Sequence, residues 1–372
     1  MKITHLVENL NRGGLERVVI NLVRAQHAAG HECRVICLYE AGSLAPELTE
    51  HGVAVDACEK RSGMDFRALL AVRRMLREHR TEILHTHNII AHDYAALASL
   101  GLGTRMLVNT RHGRGIAPPG VGRRWMYVRC MRWTDHVVGV CHAAKKNLME
   151  HDGIAEKKIV VVPNGIHVER FRPASPEAHR RLAMLLGVRE GTRLIGSVGR
   201  LNWAKDIPTM IRAFKFLRPS QPDSALVLIG DGSLRGELTQ LAETEGVADA
   251  VHFLGDRGDV RDLLQGLDVL AMSSVSEGYS IALLEACASA LPIVATDVGG
   301  NAEIVRDGVN GHIVAPKDPV KFAAALDDVL ADIDRARAMG RAGYDWVRSY
   351  GSVETMIARY QALYEGRNGA VP

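Results

Sequence analysis

The sequence lacks the features that mark membrane-spanning, disulfide-bonded and zinc-binding proteins. No apolar run approaches the roughly 20 residues that a membrane-spanning helix needs. The six cysteines are scattered through apolar stretches and form no C-x-x-C pair, which predicts buried, reduced thiols and no structural zinc site. The first residues, MKITHLVENL, have the length of a strand and lead into glycine-rich sequence instead of a cleavage site. We therefore expect a cytoplasmic protein.

Two common nucleotide-binding patterns are also missing. The chain contains neither G-x-G-x-x-G, the dinucleotide pattern, nor G-x-x-x-x-G-K-[ST], the phosphate loop of P-loop NTPases. What it contains instead is a regular alternation, in which short apolar strands are separated by amphipathic helices almost throughout. That alternation predicts an α/β protein whose parallel sheets are assembled from βαβ units.

The length and the proline distribution predict two domains. A chain of 372 residues, 47% of them hydrophobic, fits two cores better than one. The alternation breaks between residues 163 and 192, where Pro163, Pro173 and Pro176 fall. We expect two Rossmann-like domains, residues 1–170 and 171–350, facing each other across a cleft, with ligands at the carboxyl ends of the strands. Residues 351–372 are predicted to form a helix that packs back towards the first domain.

Seven strands are predicted in the first domain and five in the second. The first seven are Ile3–Val7, Cys33–Leu38, Val53–Ala57, Ile83–His85, Met106–Thr110, His136–Val140 and Ile159–Val162. The other five lie within RLIGSVGR, SALVLIGDG, AVHFLGD, LDVLAMSS and LPIVAT. The chain from about residue 319 to 366 is predicted to be helical, with no strand.

The formal net charge of +3 conceals an asymmetry between the predicted domains. Residues 1–170 contain 24 Lys and Arg against 17 Asp and Glu, whereas the remaining residues contain 22 against 26. The first domain is therefore the better match for an anionic partner. No nucleic-acid partner is expected.

Two loops that follow predicted strands have the composition of anion sites. Gly13 and Gly14 precede an amphipathic helix whose unpaired amides and dipole attract negative charge, although a plain tight turn explains two glycines equally well. Arg200 lies just past a strand, and Lys205 lies at the start of the next helix. Two cations in these positions suit a diphosphate, and an ordinary solvated basic pair is the alternative.

Two glutamates, Glu277 and Glu285, stand on either side of a helix start that follows the letters SEG. With a rise of about 1.5 Å per helical residue, the pair spans more than the single sugar that a glycosidase holds between carboxyls roughly 5–10 Å apart. A nucleotide-sugar fits the longer span, with one carboxylate at the sugar and the other at the ribose. The amides of residues 278–281 would then face the phosphates. A solvated pair of acids flanking a helix is the alternative.

The stretch SEGYSIALLEACASALPIVATDVGGNAEIVRDGVNGHIV resembles the E-x7-E region of the retaining glycosyltransferases of family 4, which have the GT-B fold. The resemblance extends, in order along the chain, to NRGGLERVV, VVPNGIHVERFRP, VGRLNWAKDI, LIGDGSLRGEL and VHFLGD. It implies a hexosyltransferase that moves one sugar from a UDP-sugar or GDP-sugar to a glycan or lipid-linked acceptor. Synthesis of a surface polysaccharide or a glycolipid is the implied process.

The resemblance also implies roles for particular residues. Glu277 would bind hydroxyls of the donor sugar, and Glu285 would bind the ribose. Arg200 and Lys205 would stabilise the charge that develops on the departing diphosphate, and His112, at the end of a strand, would lie near the donor sugar. The other donor-binding positions would be Gly13, Gly14, Asn164, Asp256, Arg257, Gly278, Tyr279, Ser280 and Ile281.

No metal and no cofactor are expected. His85 and His87 share one face of a strand by alternation, but the sequence identifies no third ligand. The D-x-D pattern that binds metal in the other large glycosyltransferase fold occurs only at 332–334, among helices and not after a strand. Tyr279-Ser280 replaces the Phe-Gly or Phe-Pro that is common in the family, and Ala290 replaces a common glycine. These departures concern the positioning of the donor and remove no charged group.

Two basic segments are predicted to meet an anionic membrane. Arg67–Arg80 is an amphipathic helix with five arginines, and Arg123–Trp133 interleaves arginines with Trp125, Tyr127 and Trp133. This composition suits a peripheral protein on the inner face of the cell membrane and a lipid-linked acceptor. A solvated helix and a core-facing aromatic helix are the alternatives.

Two other functions stay open on the sequence. A nucleotide-sugar epimerase would share the two domains but would need another set of acids and bases, to which nothing outside the family motifs points. A non-catalytic protein that binds nucleotide-sugars is the second alternative, although the presence of Glu277, Arg200, Lys205 and Glu285 argues against a protein that has lost its activity.

Overall fold

The computed structural model describes residues 1–11, 13–113 and 121–367, with the backbone alone at 121–124. The chain divides into two compact units, Met1–Asn164 together with Val353–Pro372, and Gly165–Ser352. The boundary between the units, after Asn164, lies six residues before the predicted domain boundary after residue 170. Its cause is a parallel bridge between Ile166 and Ser352, reinforced by the hydrogen bond from the Ile166 amide to the carbonyl of Gly351, which ties this stretch to the second unit.

The first domain contains a seven-stranded parallel sheet with helices packed on it. Its strands are β1 (Lys2–Val7), β2 (Glu32–Cys37), β3 (Ala54–Ala57), β4 (Ile83–His87), β5 (Met106–Arg111), β6 (His136–Gly139) and β7 (Ile159–Val161). Its helices are α1 (Gly14–Ala28), α2 (Pro46–Thr49), α3 (Phe66–His79), α4 (Asn88–Ser99), α5 (Val121–Cys130) and α6 (His142–Glu150). The strands lie in the order β3-β2-β1-β4-β5-β6-β7.

The second domain contains a six-stranded parallel sheet. Its strands are β8 (Arg193–Val198), β9 (Ser224–Ile229), β10 (Val251–Gly255), β11 (Val269–Met272), β12 (Ile293–Thr296) and β13 (Gly311–Val314). Its helices are α7 (Pro176–Leu186), α8 (Ile207–Leu217), α9 (Arg235–Thr244), α10 (Val260–Leu264), α11 (Ile281–Ala288), α12 (Asn301–Ile304), α13 (Pro319–Ala331) and α14 (Ile333–Tyr350). The strands lie in the order β10-β9-β8-β11-β12-β13.

Both sheets have the doubly wound order of a Rossmann fold, so the predicted fold class is confirmed. In each sheet the order reverses beside the first strand, between β1 and β4 and between β8 and β11. Parallel strands covered on both faces are almost continuously apolar, and β8, β9, β11 and β12 are accordingly buried along nearly their whole length. Ligands of such sheets bind beyond the carboxyl ends of the strands where the order reverses.

One strand of the second sheet was not predicted. β13 is only four residues long and pairs in parallel with β12. It begins at Gly311, where a Cβ atom would lie 2.0 Å from the carbonyl oxygen of Ile293. Only glycine allows the two backbones to approach so closely, and a short strand that starts with glycine gives a weak pattern in sequence.

The last helix, α15 (Val353–Tyr364), belongs to the first domain. It fills the interior with two tyrosines, Tyr360 and Tyr364, which are both almost fully buried. The hydroxyl of Tyr360 lies 3.0 Å from the Thr110 hydroxyl, and the hydroxyl of Tyr364 lies 2.6 Å from Nδ1 of His85. The helix is therefore joined to strands β4 and β5 by polar contacts inside the core.

All six cysteines are free, as predicted. Burial raises the pKa of the Cys33, Cys37, Cys130 and Cys287 thiols to about 12, so these groups are not reactive at neutral pH. Within the described residues, no helix has both the length and the apolar character needed to cross a bilayer.

Candidate active site

The first half of the candidate site in the second domain is the loop after β8. Lys205 ends a short 3-10 turn, Trp203–Lys205, in which the Ala204 amide donates to the side-chain oxygen of Asn202. The turn runs close to Gly199, where a Cβ atom would lie 2.9 Å from Cε of Lys205. Ser273, just after β11, donates its hydroxyl to the carbonyls of Lys205 and Asp206 at 3.0 and 2.9 Å. The ends of two adjacent strands therefore fix the lysine.

The loop after β11 brings a carboxylate to that lysine. Nζ of Lys205 lies 2.5 Å from Oε1 of Glu277, and the hydroxyl of Ser274 donates to the same oxygen at 2.6 Å. The two charged side chains are 20% and 11% exposed, so the pair is shielded from water but not sealed. Hydrogen bonds to an ionised group are short and strong. The two residues that the sequence assigned to the sugar and the diphosphate are thus direct neighbours.

Glycines let the Glu277 loop pack against the next loop of the sheet. Gly299 has a φ of 58°, and a Cβ atom there would lie 2.3 Å from the carbonyl oxygen of Glu277. The amide of Gly300 donates to the carbonyl of Gly278 at 2.7 Å. Both contacts hold the segment that enters α11.

Helix α11 begins directly after this loop. Its N-cap residue, Ser280, makes no side-chain hydrogen bond to the first turn. The amides at the start of α11 are therefore not capped by that side chain, and together with the helix dipole they favour an anion. Tyr279 and Ser280 are both buried, and Glu285 is half-buried within the helix. The tyrosine that departs from the family pattern thus contributes to packing.

The other predicted residues of this domain lie nearer the surface. Arg200 and Asp256 are exposed. Arg257 forms two hydrogen bonds to Asp259, at 2.8 and 2.6 Å, and this pairing raises the pKa of the arginine and lowers that of the aspartate. The structure thus brings Lys205, Glu277 and the start of α11 together, whereas the side chain of Arg257 is turned to its own loop.

The predicted residues of the first domain lie at the ends of its strands or helices. Gly13 is the N-cap of α1, with extended backbone and no side-chain cap, and Gly14 is the first residue of that helix. Asn164 is buried at the end of the unit. His112 directly follows β5 and connects to a buried polar cluster that extends across the centre of the sheet.

That cluster contains a chain of three imidazole rings. Nε2 of His112 lies 3.0 Å from Nδ1 of His87, and Nε2 of His87 lies 3.1 Å from Nδ1 of His5. Nε2 of His5 lies 2.7 Å from the side-chain oxygen of Gln26. The amide nitrogen of Gln26 donates to the hydroxyl of Tyr364 at 3.3 Å. The chain therefore runs from the end of β5 to helix α1.

A second branch of the cluster passes through His85. Its Nδ1 meets the hydroxyl of Tyr364, and its Nε2 lies 2.7 Å from the hydroxyl of Thr110. Thr110 in turn meets Tyr360. Gln26 therefore joins both branches, one through its oxygen and the other through its nitrogen.

Burial keeps these histidines neutral. It lowers the pKa of His5 to about 4 and that of His112 to about 3, and it holds the pKa values of His85 and His87 well below the usual range. His5 supplies the third nitrogen that the sequence did not identify beside His85 and His87, and one ring nitrogen from each lies within 4.8 Å of the others. Neutral imidazoles are good ligands for transition metals, but these rings are hydrogen-bonded to each other and to Gln26, Thr110 and Tyr364.

Sequence reasoning missed His5, Gln26 and the two tyrosines of α15, as well as Ser273 and Ser274. One signal was present, because a histidine inside the apolar strand ITHLV needs a buried partner. Its partners were not readable, because they depend on the register that places His5 beside His85 and on the return of α15 from the far end of the chain.

The two predicted membrane segments are only partly exposed. On α3, Phe66 and Leu70 are 69% and 66% exposed, and on α5 Trp125 is 64% exposed. Two residues of these segments, Arg73 and Tyr127, were wrongly predicted to face outward. Arg73 donates to the carbonyls of Ala98 and Leu100, so its side chain caps the C-terminal end of α4.

Tyr127 is the second exception. It is fully buried, with its hydroxyl donated to Asn109, because it faces the sheet from α5. Of the other residues in these segments, Arg67, Arg74, Arg77, Arg80, Arg129, Arg132 and Trp133 are exposed. The side chains of Arg123 and Arg124 lie outside the described residues.

Two family models match consecutive parts of the chain. Residues 12–170 match the model described as Glycosyltransferase Family 4, and residues 185–346 match the model described as Glycosyl transferases group 1. The chain belongs to the glycosyltransferases of family 4. It is a glycosyltransferase with the two Rossmann-like domains of the GT-B fold.

Individual relatives agree with this assignment. The chain is 29% identical over 314 residues to the putative glycosyltransferase EpsD of Bacillus subtilis, covering 80% of this chain and 81% of that protein. It is 26% identical to the Escherichia coli UDP-Gal:alpha-D-GlcNAc-diphosphoundecaprenol alpha-1,3-galactosyltransferase, covering 72% of this chain and 71% of that protein. The crystal structure of Anabaena HepE in complex with UDP is 21% identical and superposes with a TM-score of 0.88, covering 98% of this chain and all of the other.

Proposed function

We propose that this glycosyltransferase transfers one hexose from a nucleoside-diphosphate sugar, with retention of the anomeric configuration and without a metal ion, to a hydroxyl of a lipid-linked glycan. The observation that carries the proposal is the Lys205–Glu277 pair in the loops that lead to the start of α11. A cation and an acid there precede helix amides that the Ser280 side chain does not cap. A diphosphate matches the cation and the amides. The hydroxyls of a sugar match the glutamate, whose second oxygen can accept a further hydrogen bond.

The reaction that this arrangement supports needs no nucleophile from the enzyme. The bond between the anomeric carbon and the donor's phosphate oxygen breaks, and the acceptor oxygen bonds to that carbon from the same face. The acceptor's proton passes to the phosphate oxygen that departs. Lys205 and the first amides of α11 stabilise the negative charge that develops on the diphosphate, and fixed groups of this kind act without reorganising.

Metal independence is proposed on the same grounds. A lysine and helix amides supply the charge stabilisation that a divalent cation would otherwise provide. UDP is the first nucleotide to test, because HepE, which has the same fold, was crystallised with UDP-glucose. GDP remains the second.

The lipid-linked acceptor is proposed from the exposed groups of α3 and α5. Phe66, Leu70 and Trp125 are more than half exposed, with Arg67 and Arg129 exposed near them in sequence. Apolar and basic groups together suit the surface of an anionic membrane. The similar galactosyltransferase of Escherichia coli is named for a diphosphoundecaprenol-linked acceptor.

Nucleotide release from labelled UDP-glucose, UDP-galactose and GDP-mannose, with and without a bacterial lipid extract, tests the proposal. We expect release from one donor, stimulated by lipid, unchanged by EDTA, and a product whose anomeric configuration matches the donor. Lipid-independent isomerisation of the donor would support an epimerase instead. Binding without turnover in the presence of lipid would support the non-catalytic alternative.

A further inference from the structure

The ring chain that begins at Gln26 has a direction. A neutral imidazole has one N–H donor and one acceptor nitrogen. The side-chain oxygen of Gln26 can only accept, so Nε2 of His5 must carry the hydrogen and its Nδ1 must accept. Nε2 of His87 then donates to that Nδ1. Each ring therefore determines the tautomer of the next.

The same logic reaches His112 at the end of the chain. Nδ1 of His87 accepts, so Nε2 of His112 carries the hydrogen and its Nδ1 holds a lone pair. Among the described residues, this Nδ1 is buried without a hydrogen-bond partner. A buried polar atom without a partner in the protein is uncommon, and a hydrogen bond to a bound ligand is one explanation for it.

The second branch agrees with this direction. The nitrogen of Gln26 donates to Tyr364, which leaves the hydrogen of the Tyr364 hydroxyl for Nδ1 of His85. With Nδ1 as the acceptor, Nε2 of His85 carries the hydrogen and donates to Thr110. Each ring nitrogen of His5, His85 and His87 then meets a partner of the opposite kind. Turning the Gln26 amide over would reverse both branches at once, which makes this one side chain the orienting group of the cluster.

We propose that Gln26 is a positioning residue, which acts through His5 and His87 to fix His112 as the Nε2–H tautomer, so that Nδ1 accepts a hydrogen bond from a hydroxyl of the donor sugar. The sugar contact rests on the proposed function. The tautomer itself does not. The consequence is selectivity, because an acceptor nitrogen favours a hydroxyl and disfavours groups that cannot donate.

Nitrogen NMR of the full chain labelled at the histidine rings measures the tautomer directly. The resonances of His112 are assigned by their loss in His112→Gln. At neutral pH we expect an unprotonated Nδ1 and a protonated Nε2 in the wild-type protein. A protonated Nδ1 in the wild-type protein would overturn the proposal whether or not the enzyme is active.

Three variants separate orientation from packing. Gln26→Leu removes the acceptor and is expected to leave His112 as a mixture of tautomers, whereas Gln26→Glu keeps an acceptor for His5 and is expected to keep the wild-type signal. Tyr360→Phe removes one hydroxyl from the other branch and serves as the matched control with the wild-type tautomer. An unchanged His112 signal in folded Gln26→Leu would contradict the role of Gln26.

UDP-glucose and its monofluorinated analogues, one for each sugar hydroxyl, test the contact. We expect the wild-type enzyme to lose about three- to tenfold in kcat/KM for one analogue, because fluorine cannot donate the hydrogen bond. That penalty shrinks in Gln26→Leu and persists in Gln26→Glu. Equal penalties in all three proteins would overturn the contact, and absence of nucleotide release from any donor would refute the proposed function while the NMR result stands.

Discussion

The two domains share a strand order, yet the chemistry beyond their central strands differs. In the first domain, β1 and β4 carry neutral histidines that are buried and joined to hydroxyls and an amide. In the second, the loops after β8 and β11 carry a partly shielded lysine and glutamate beside a helix start. One domain offers oriented neutral hydrogen bonds, and the other offers charge.

The largest expected difference between the two domains is in their stability at low pH, where the first domain should be destabilised more. Unfolded histidines titrate near 6.5, but His5 and His92 in the fold have pKa values of about 4 and about 3 because both are fully buried. Below pH 6.5 the unfolded chain therefore binds more protons than the folded one. The stability is complete above that pH and falls by about 1.4 kcal/mol per pH unit for each such histidine as the pH decreases towards 4.

Hydrogen exchange of peptides from each domain at pH 7.5 and pH 5 measures this effect. We expect protection to fall in β1, β4 and α4 first. His179, in the second domain, behaves in the opposite way, because its hydrogen bond to Asp268 raises its pKa and its contribution is lost as the pH rises. Equal loss of protection in both domains at pH 5 would break the comparison.

Loss of the lysine is the largest expected effect on catalysis. Lys205→Ala should lower kcat/KM by about 10²-fold or more, by analogy with the removal of one oxyanion-hole donor. Lys215→Ala is the matched control, because this lysine forms an exposed ion pair with Glu245 on the same domain and should leave turnover unchanged. Wild-type turnover in Lys205→Ala would remove the leaving-group role.

A glycine substitution tests how the Glu277 loop is held. Gly299→Ala must strain a positive φ and also move the Glu277 carbonyl, whereas Gly308→Ala strains a positive φ of 70° with no atom within 4 Å. We expect the control to lose about 1–2 kcal/mol of stability and no activity. Gly299→Ala should lose more stability and, in addition, activity. Identical behaviour of the two variants in denaturant unfolding and turnover would show that the close contact does not matter.

The smallest expected effect concerns the membrane. Arg67→Gln on α3 should weaken binding to anionic vesicles by about 1 kcal/mol, roughly fivefold. Arg180→Gln, an exposed arginine of the second domain, is the matched control. Co-sedimentation with neutral and anionic vesicles measures both, and equal recovery with the two vesicle types would argue against a membrane surface on the first domain.

Much of the architecture was predictable, because parallel strands covered on both faces give apolar segments that stand out between helices. All twelve predicted strands are present. The ends of the seven predicted in the first domain differ from the observed ends by at most two residues, and the other five lie within the quoted stretches. β13 was missed because its first residue is a glycine, which weakens the sequence pattern of a strand. The roles proposed for Glu277 and Lys205 came from the family resemblance, but their direct contact depends on serines after β11 that no local pattern reveals.

The contacts within the histidine cluster could not be predicted from the sequence. Alternation predicts that His85 and His87 share a face, but the chain from His112 to Gln26 joins β5, β4, β1 and α1, which only the folded register brings together. Tyr127 and Arg73 were misassigned for a similar reason. A basic and aromatic composition does not say which residues of a helix face the sheet or cap a neighbouring helix.

A crystal structure of the protein soaked with UDP tests the central claim most directly. We predict that diphosphate oxygens lie within hydrogen-bond distance of Nζ of Lys205 and of the first amides of α11. A well-ordered UDP molecule bound away from Lys205, Glu277 and the start of α11 would contradict the account.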